Sequence, residues 1–239
     1  MRTASQSQEP EQCSESCGSP EAEQRIRADI VHFCKLLHEK NYLAANDGNV
    51  SYRLCPHRVL ITPSGVPKAF MTPGDLVVVS PKGAQLSGSG KPSGELAMHL
   101  AALYTRPDVV AVVHAHPPTC IAVTLIRHLR LNDVLPEVIL SVGRLEVVPY
   151  ARPLTDALAN AVAERLEKAD AVILERHGTV TLGKTVAEAY ARTERLEHAA
   201  YVLWLAHAIG SPVPLAEQEA RRLEDIYATA RAQTDRMAG

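Results

Sequence analysis

The sequence predicts an α/β fold, a helix–sheet–helix sandwich built on a mixed sheet. Strand-like apolar runs alternate with segments of helical period along most of the chain. The early strands are joined by links of only turn length, too short for the long crossovers that a purely parallel sheet requires. With 239 residues, 46% of them hydrophobic, the chain suffices for one large domain. Residues 1–21, "MRTASQSQEPEQCSESCGSPE", are polar and poor in aliphatics and are expected to be a disordered tail. The domain is assigned to residues 22–239, and no internal repeat or linker divides it.

Ile26, Ile30, Phe33 and Leu37 recur at helical spacing and open the domain with an amphipathic helix. "GNVSYRL" and "RVLIT" read as short strands separated by a turn, and "DLVVVS" as a third. The loop "LSGSGKPSG" leads into a helix marked by Leu96, Leu100 and Leu103 that stops before Pro107. "VVAVVHAH" is a fully buried strand, followed by the helix "PPTCIAVTLI", where proline fits a first turn. "EVIL" and "LEVVPY" are expected as strands, "LTDALANAVAERLEKA" as a helix, and "AVILERHG" as a strand ending at His177. A long helix then runs through "TVAEAYARTERLEHAAYVLWLAHAIG" until Gly210 and Pro212 break it.

The 25 basic and 27 acidic residues leave a net charge of -2, which offers no general attraction to nucleic acid or an anionic membrane. No apolar run is long enough to span a bilayer and the N-terminus has no secretory core, so a cytoplasmic protein is expected. Cys13, Cys17, Cys34, Cys55 and Cys120 are odd in number and scattered, and are read as reduced thiols.

The chemistry concentrates at strand ends. In "VVHAHPPTC", residues alternating along a strand put His114 and His116 on one face, where two imidazoles can grip one metal ion. His177, before a glycine at another strand end, offers a third ligand and leaves a position for substrate. Glu95 falls in the first turn of a helix that Ser93 can cap, and a carboxylate beside a metal serves as a general base. His99, one helical turn on, reads either as a third ligand or as a packed residue. The glycine-flanked turns "NDGNVS", "TPSG" and "KPSG" can aim N–H groups at an anion or simply turn the chain.

The ordered motifs "GNVS", "ITPSG", "KPSGELAMH", "AVVHAHP" and "LERHGTVTLG" resemble the class II aldolase and adducin family over about residues 22–215. The resemblance implies a three-layer α/β/α sandwich with a largely antiparallel central sheet, a homotetramer, and a divalent ion, zinc with Mn²⁺ and Co²⁺ as alternatives. It implies His114, His116 and His177 as metal ligands, joined by Glu95 as the catalytic carboxylate, and it leaves His99 out of the ligand set. Asn49, Ser64, Gly65, Ser93 and Gly94 are implied to hold a substrate phosphate. Where phosphate aldolases carry a second serine, this chain has Gly94.

The activity so implied is reversible cleavage of a small sugar or sugar phosphate through a metal-bound enediolate. Decarboxylation, epimerisation or dehydration on the same site is the first alternative, and a non-catalytic adducin-like module the second. A zinc hydrolase would want further aspartate ligands. In fuculose-type aldolases a tyrosine from a neighbouring subunit protonates the leaving fragment. Val138 stands about where that tyrosine belongs, and Tyr227 is the other tyrosine considered, with packing on an amphipathic helix as its plainer role.

Overall fold

The computed structural model describes residues 18–126, 135–143 and 145–238. The expected disordered tail, with Cys13 and Cys17, lies almost wholly outside them. Helix α1 (Pro20–Glu39) begins two residues before the assigned boundary, because the Ser19 hydroxyl caps it by accepting from Ala22 N and Pro20 supplies its first turn.

One eight-stranded sheet runs in the order β4-β3-β2-β1-β5-β8-β7-β6. Its strands are β1 (Asn49–Cys55), β2 (Arg58–Ile61), β3 (Val77–Val79), β4 (Gln85–Ser87), β5 (Ala111–Ala115), β6 (Glu146–Val148), β7 (Ala171–Leu174) and β8 (Gly178–Gly183). Every pairing is antiparallel except β6 with β7, so the mixed, largely antiparallel sheet is as expected.

Strand alternation builds the layers. Val112, Val172, Leu174, Val180 and Leu182 face α2 (Leu96–Thr105) and α5 (Asp156–Leu166) in one core. Ala111, Val113, Ala115, Ala171 and Ile173 face the opposite side, against α1, α3 (Pro118–Thr124) and α6 (Val186–Ile209). α4 (Pro136–Val142) and α7 (Glu217–Ala238) pack on each other through Ile139, Ala220 and Leu223. No helix among the described residues is long and apolar enough to cross a membrane.

Two expectations need correction, and one strand was not assigned from the sequence. "EVIL" is not a strand but part of α4, since Pro136 occupies its first turn and its short apolar run fits either structure until α7 covers it. "GTVTLG" forms β8, where threonines stand at buried positions because their hydroxyls are satisfied, as Thr181 is by Ala189 O at 2.7 Å. Cys34 and Cys120 are free and buried, but Cys55 is disulfide-bonded, a pairing that cysteine count and spacing do not specify.

At the N-terminal end of β7, Asp170 accepts from Arg106 at 2.8 Å and from Arg192 at 3.0 Å, and Tyr227 donates to the same carboxylate. Burial alone would raise the Asp170 pKa, but Arg192, the Tyr227 hydroxyl and Arg106 outweigh it and hold the acid below its ordinary value. Removing the acid from this buried group leaves Arg106 and Arg192 with only the less buried Asp108 and Glu188 as counter-charges. Asp170→Asn is therefore expected to cost about 3–5 kcal/mol in chemical denaturation, and a cost under about 1 kcal/mol would show the network is dispensable. Because the folded pKa is depressed, this stability is present above the unfolded value of about 4 and is lost as pH falls below it, so the variant should show a flatter acid limb.

Candidate metal centre

β5 and its neighbours bring the site together at one end of the sheet. Asn49 on β1 is the direct cross-strand partner of His114 on β5, so their side chains share a face. That is the face of Val112, turned toward α2, and Glu95 stands at the head of α2. His177 lies in the three-residue link between β7 and β8, where Arg176 takes a left-handed φ of 60° and His177 N bonds Leu174 O at 3.1 Å.

Gly178 then starts β8 so close to β5 that a Cβ would lie 2.2 Å from Ala115 O and 2.9 Å from the His116 ring. The close approach sets His177 against His116, with ring centroids 5.0 Å apart. Ligand atoms of His114, His116 and His177 all lie within 4.8 Å of one another. The His114 and His116 Nε2 atoms are 3.0 Å apart, near the roughly 3.3 Å set by tetrahedral bonds of about 2.0–2.1 Å to zinc.

The protons are placed for metal binding. His114 Nδ1–H donates to Thr179 O at 2.9 Å, which leaves the Nε2 lone pair facing its neighbours. His116 Nδ1 lies 3.5 Å from the Asp47 carboxylate. Burial pushes His116 down to about 3 and His177 to about 4, so both rings are neutral ligands rather than cations at ordinary pH.

Glu95 Oε2 is 3.2 Å from His114 Nε2 and Oε1 is 3.3 Å from His177 Nε2. Burial opposes its ionisation, but His114, Asn49 and His177 more than offset this and hold the carboxyl well below its usual range. Buried Oε1 makes no hydrogen bond among the described residues. A donor set of three imidazoles and one carboxylate, with an oxygen left unpaired among them, fits a divalent cation.

Glu95 is the N-cap residue of α2 rather than a member of its first turn, and its side chain makes no capping bond. Ser93 Oγ accepts from Glu95 N at 3.2 Å, one step earlier than a cap on the helix itself. The three polar turns meet because Pro63 and Pro92 bridge, Ser64 N bonds Lys91 O at 2.9 Å, and Val50 N bonds the Thr62 hydroxyl at 3.2 Å. Asn49, Ser64, Gly65, Ser93 and Gly94 therefore line one cleft with Glu95, His116 and His177, about 440 Å³ in volume.

Two residues of this cleft were not singled out from the sequence. Asp47 reads as an ordinary turn acid until it meets His116. Lys68 is buried, an unusual fate for lysine, and donates to Asn46 O at 3.1 Å and Val66 O at 3.0 Å. Its place three residues after the "TPSG" turn carries no sequence signal of burial. Tyr227, tied to Asp170, is at the far end of β7 from His177, and Val138 is buried in α4.

Comparison with known proteins agrees with this architecture. The model of the class II aldolase and adducin N-terminal domain matches residues 28–204. An L-fuculose phosphate aldolase of Methanococcus maripaludis is 36% identical over 180 residues, 74% of this chain and 95% of that one. A 3-oxo-tetronate 4-phosphate decarboxylase of Haemophilus influenzae is 32% identical over 175 residues, 72% of this chain and 83% of the relative. The solved structure of an L-fuculose 1-phosphate aldolase superposes with a TM-score of 0.78 at 27% identity, covering 90% of this chain and 100% of its own. Sequence match, sheet order and histidine cluster converge, and the protein belongs to the class II aldolase and adducin family of lyase-type enzymes.

Proposed function

We propose that the protein is a divalent-metal-dependent aldolase that cleaves or forms a carbon–carbon bond in a small sugar or sugar phosphate. The observation that carries this reading is the convergence of the His114, His116 and His177 nitrogens with the Glu95 carboxylate in one cleft. The donor set favours zinc, with Mn²⁺ and Co²⁺ as alternatives. Bound there, the ion supplies Lewis-acid stabilisation of charge developing on the substrate oxygens.

The remaining work falls to the chain. In the synthetic direction Glu95 removes the proton from the carbon next to the substrate carbonyl, and in cleavage it returns that proton. Its unpaired Oε1 is free for this task. Asn49, Ser64, Gly65, Ser93 and Gly94 hold the phosphate or hydroxyl end, and the buried ammonium of Lys68 beside them suits an anion. Apolar surface on α6, including Tyr201, Trp204 and Ile209, supports the homotetramer implied by the resemblance.

Decarboxylation on the same site is the second reading, and one observation favours it. Val138 has no proton to exchange and Tyr227 is committed to Asp170, so neither takes up the proton of the hydroxyl that becomes the aldehyde carbonyl in cleavage. Loss of carbon dioxide breaks no such O–H bond, and the enolate it leaves takes its proton from Glu95. The decarboxylase relative fits this alternative.

His114→Ala should lose most bound metal and all measurable turnover, whereas full occupancy in metal analysis would overturn the ligand assignment. Glu95→Gln should keep the metal, because an amide oxygen still coordinates, yet lose about 10² to 10⁴ in rate. An unchanged rate would place the base elsewhere.

Metal-loaded protein screened against phosphorylated and free ketoses and 3-oxo acids separates the reactions by release of aldehyde or carbon dioxide. Fuculose 1-phosphate is expected to be cleaved far more slowly than by a dedicated aldolase. Tyr227→Phe should leave turnover unchanged but cost about 1.5–3 kcal/mol of stability, the scale of a hydrogen bond to a charged group. Efficient cleavage of fuculose 1-phosphate would contradict the reading of Val138.

A Cβ at Gly94 would lie 3.0 Å from the exposed Leu154 side chain, which can move aside. Gly94→Ser should therefore fold normally and strengthen discrimination for a phosphorylated over a free substrate. Loss of discrimination, measured as the ratio of kcat/KM values, would count against the phosphate pocket.

A further inference from the structure

His99 is fully buried in the first turns of α2 and belongs neither to the imidazole cluster nor to the residues that line the cleft. Its two ring nitrogens nevertheless both have partners. Nε2 is 2.5 Å from Asn49 Oδ1, and Nδ1 is 2.6 Å from Ser51 Oγ. Asn49 Nδ2 is in turn 2.9 Å from Glu95 Oε2.

The direction of each proton follows from the last member. A carboxylate only accepts, so the Asn49 atom facing Glu95 is the amide NH₂. Its carbonyl oxygen then faces His99, and two acceptors cannot share a hydrogen bond, so His99 carries its proton on Nε2. Nδ1 is left as the acceptor, and the Ser51 hydroxyl donates to it. β1 enforces the spacing, because Asn49 and Ser51 lie two apart on the same face and bracket the ring.

We propose that His99, as the Nε2–H tautomer set by Ser51, is a positioning residue that fixes the Asn49 amide so that its NH₂ points to Glu95 and holds the carboxylate in place. Without the His99 donor, the amide is free to turn its oxygen toward Glu95, and repulsion moves the carboxylate off its position. The pair of Asn49 bonds leaves Oε1 as the unpaired atom at the imidazole cluster. The proposal rests on Glu95 being the base of the reading above, but the tautomer does not depend on that chemistry.

The test has two arms. In the first, metal-free protein carrying ¹⁵N-histidine is examined by long-range ¹H–¹⁵N NMR, with His99→Gln identifying the signal. The expected result is a neutral His99 protonated at Nε2, shifting toward a tautomer mixture in Ser51→Ala. A proton on Nδ1 in the wild type overturns the proposal whatever reaction the enzyme performs.

The second arm uses the substrate identified by the screen. His99→Met should lower kcat about 10- to 100-fold, the usual cost of losing an outer partner of a metal site, with KM and metal content little changed. His99→Gln, whose amide NH₂ reaches the Nε2 position, should recover most of that loss. In a Glu95→Gln background, His99→Met should add almost nothing, because the effect passes through Glu95. An equal loss in both backgrounds, or no rescue by glutamine, would show a merely structural histidine. If no substrate turns over, the reaction assignment fails while the tautomer measurement still decides the relay.

Discussion

The antiparallel pairing of β5 with β8 stays tight through Ala115 and Thr179, and the next step of the ladder leaves no room for a side chain at Gly178. That contact fixes the distance between two loops that carry His116 and His177. It also aims Thr179 O at His114 Nδ1, which selects the tautomer whose lone pair faces the other rings. A larger residue at position 178 would push the strands apart and disperse the imidazoles. Gly48 plays the same part on the opposite flank. Its φ is +67°, and a Cβ there would meet Leu43 and the His114 carbonyl. The centre of the sheet is thus held close by absent side chains so that functional ones can converge.

The two ends of the sheet use buried polarity in opposite ways. At the N-terminal end of β7, Asp170 is surrounded by Arg106, Arg192 and Tyr227, and charge is matched within the chain. At the other end the polar groups are incomplete: the Glu95 Oε1 and His177 Nδ1 atoms are buried with no hydrogen-bond partner among the described residues. A fully satisfied network rigidifies, whereas unsatisfied polar atoms cost stability unless something outside the chain completes them. The contrast separates a structural charge cluster from one organised around a ligand.

The cleft is walled by short loops tied to one another. The Pro63–Pro92 bridge and the Ser64–Lys91 bond join the two serine-bearing turns, and Thr62 fastens both to β1. At Gly94 a hydroxyl expected of phosphate aldolases is missing, and the space beside it is occupied by Leu154, whose φ of 63° is rare for a leucine. Lys68 adds a buried cation to the same cleft. The pocket therefore has one hydroxyl fewer than the resemblance implies, and a buried lysine in its wall.

Much of this architecture was legible in the chain itself. Alternation in "VVAVVHAH" put His114 and His116 on one face, helical spacing marked α1, α2, α5 and α6, and the ordered motifs pointed to Glu95 and His177. These features survive because they depend on local periodicity, which follows from 3.6 residues per helical turn and two per strand repeat. What tertiary structure alone decided are matters of long-range partnership. "EVIL" became helical because α7 covers it, "GTVTLG" became a strand because α6 satisfies its threonines, and Cys55 found a partner that spacing does not reveal. Lys68 and Asp47 joined the cleft, and Tyr227 was drawn to Asp170 at the far end of the sheet. The difference is physical: a side chain's face follows from its own backbone, but its partner is set by segments tens of residues away, whose approach no local pattern records.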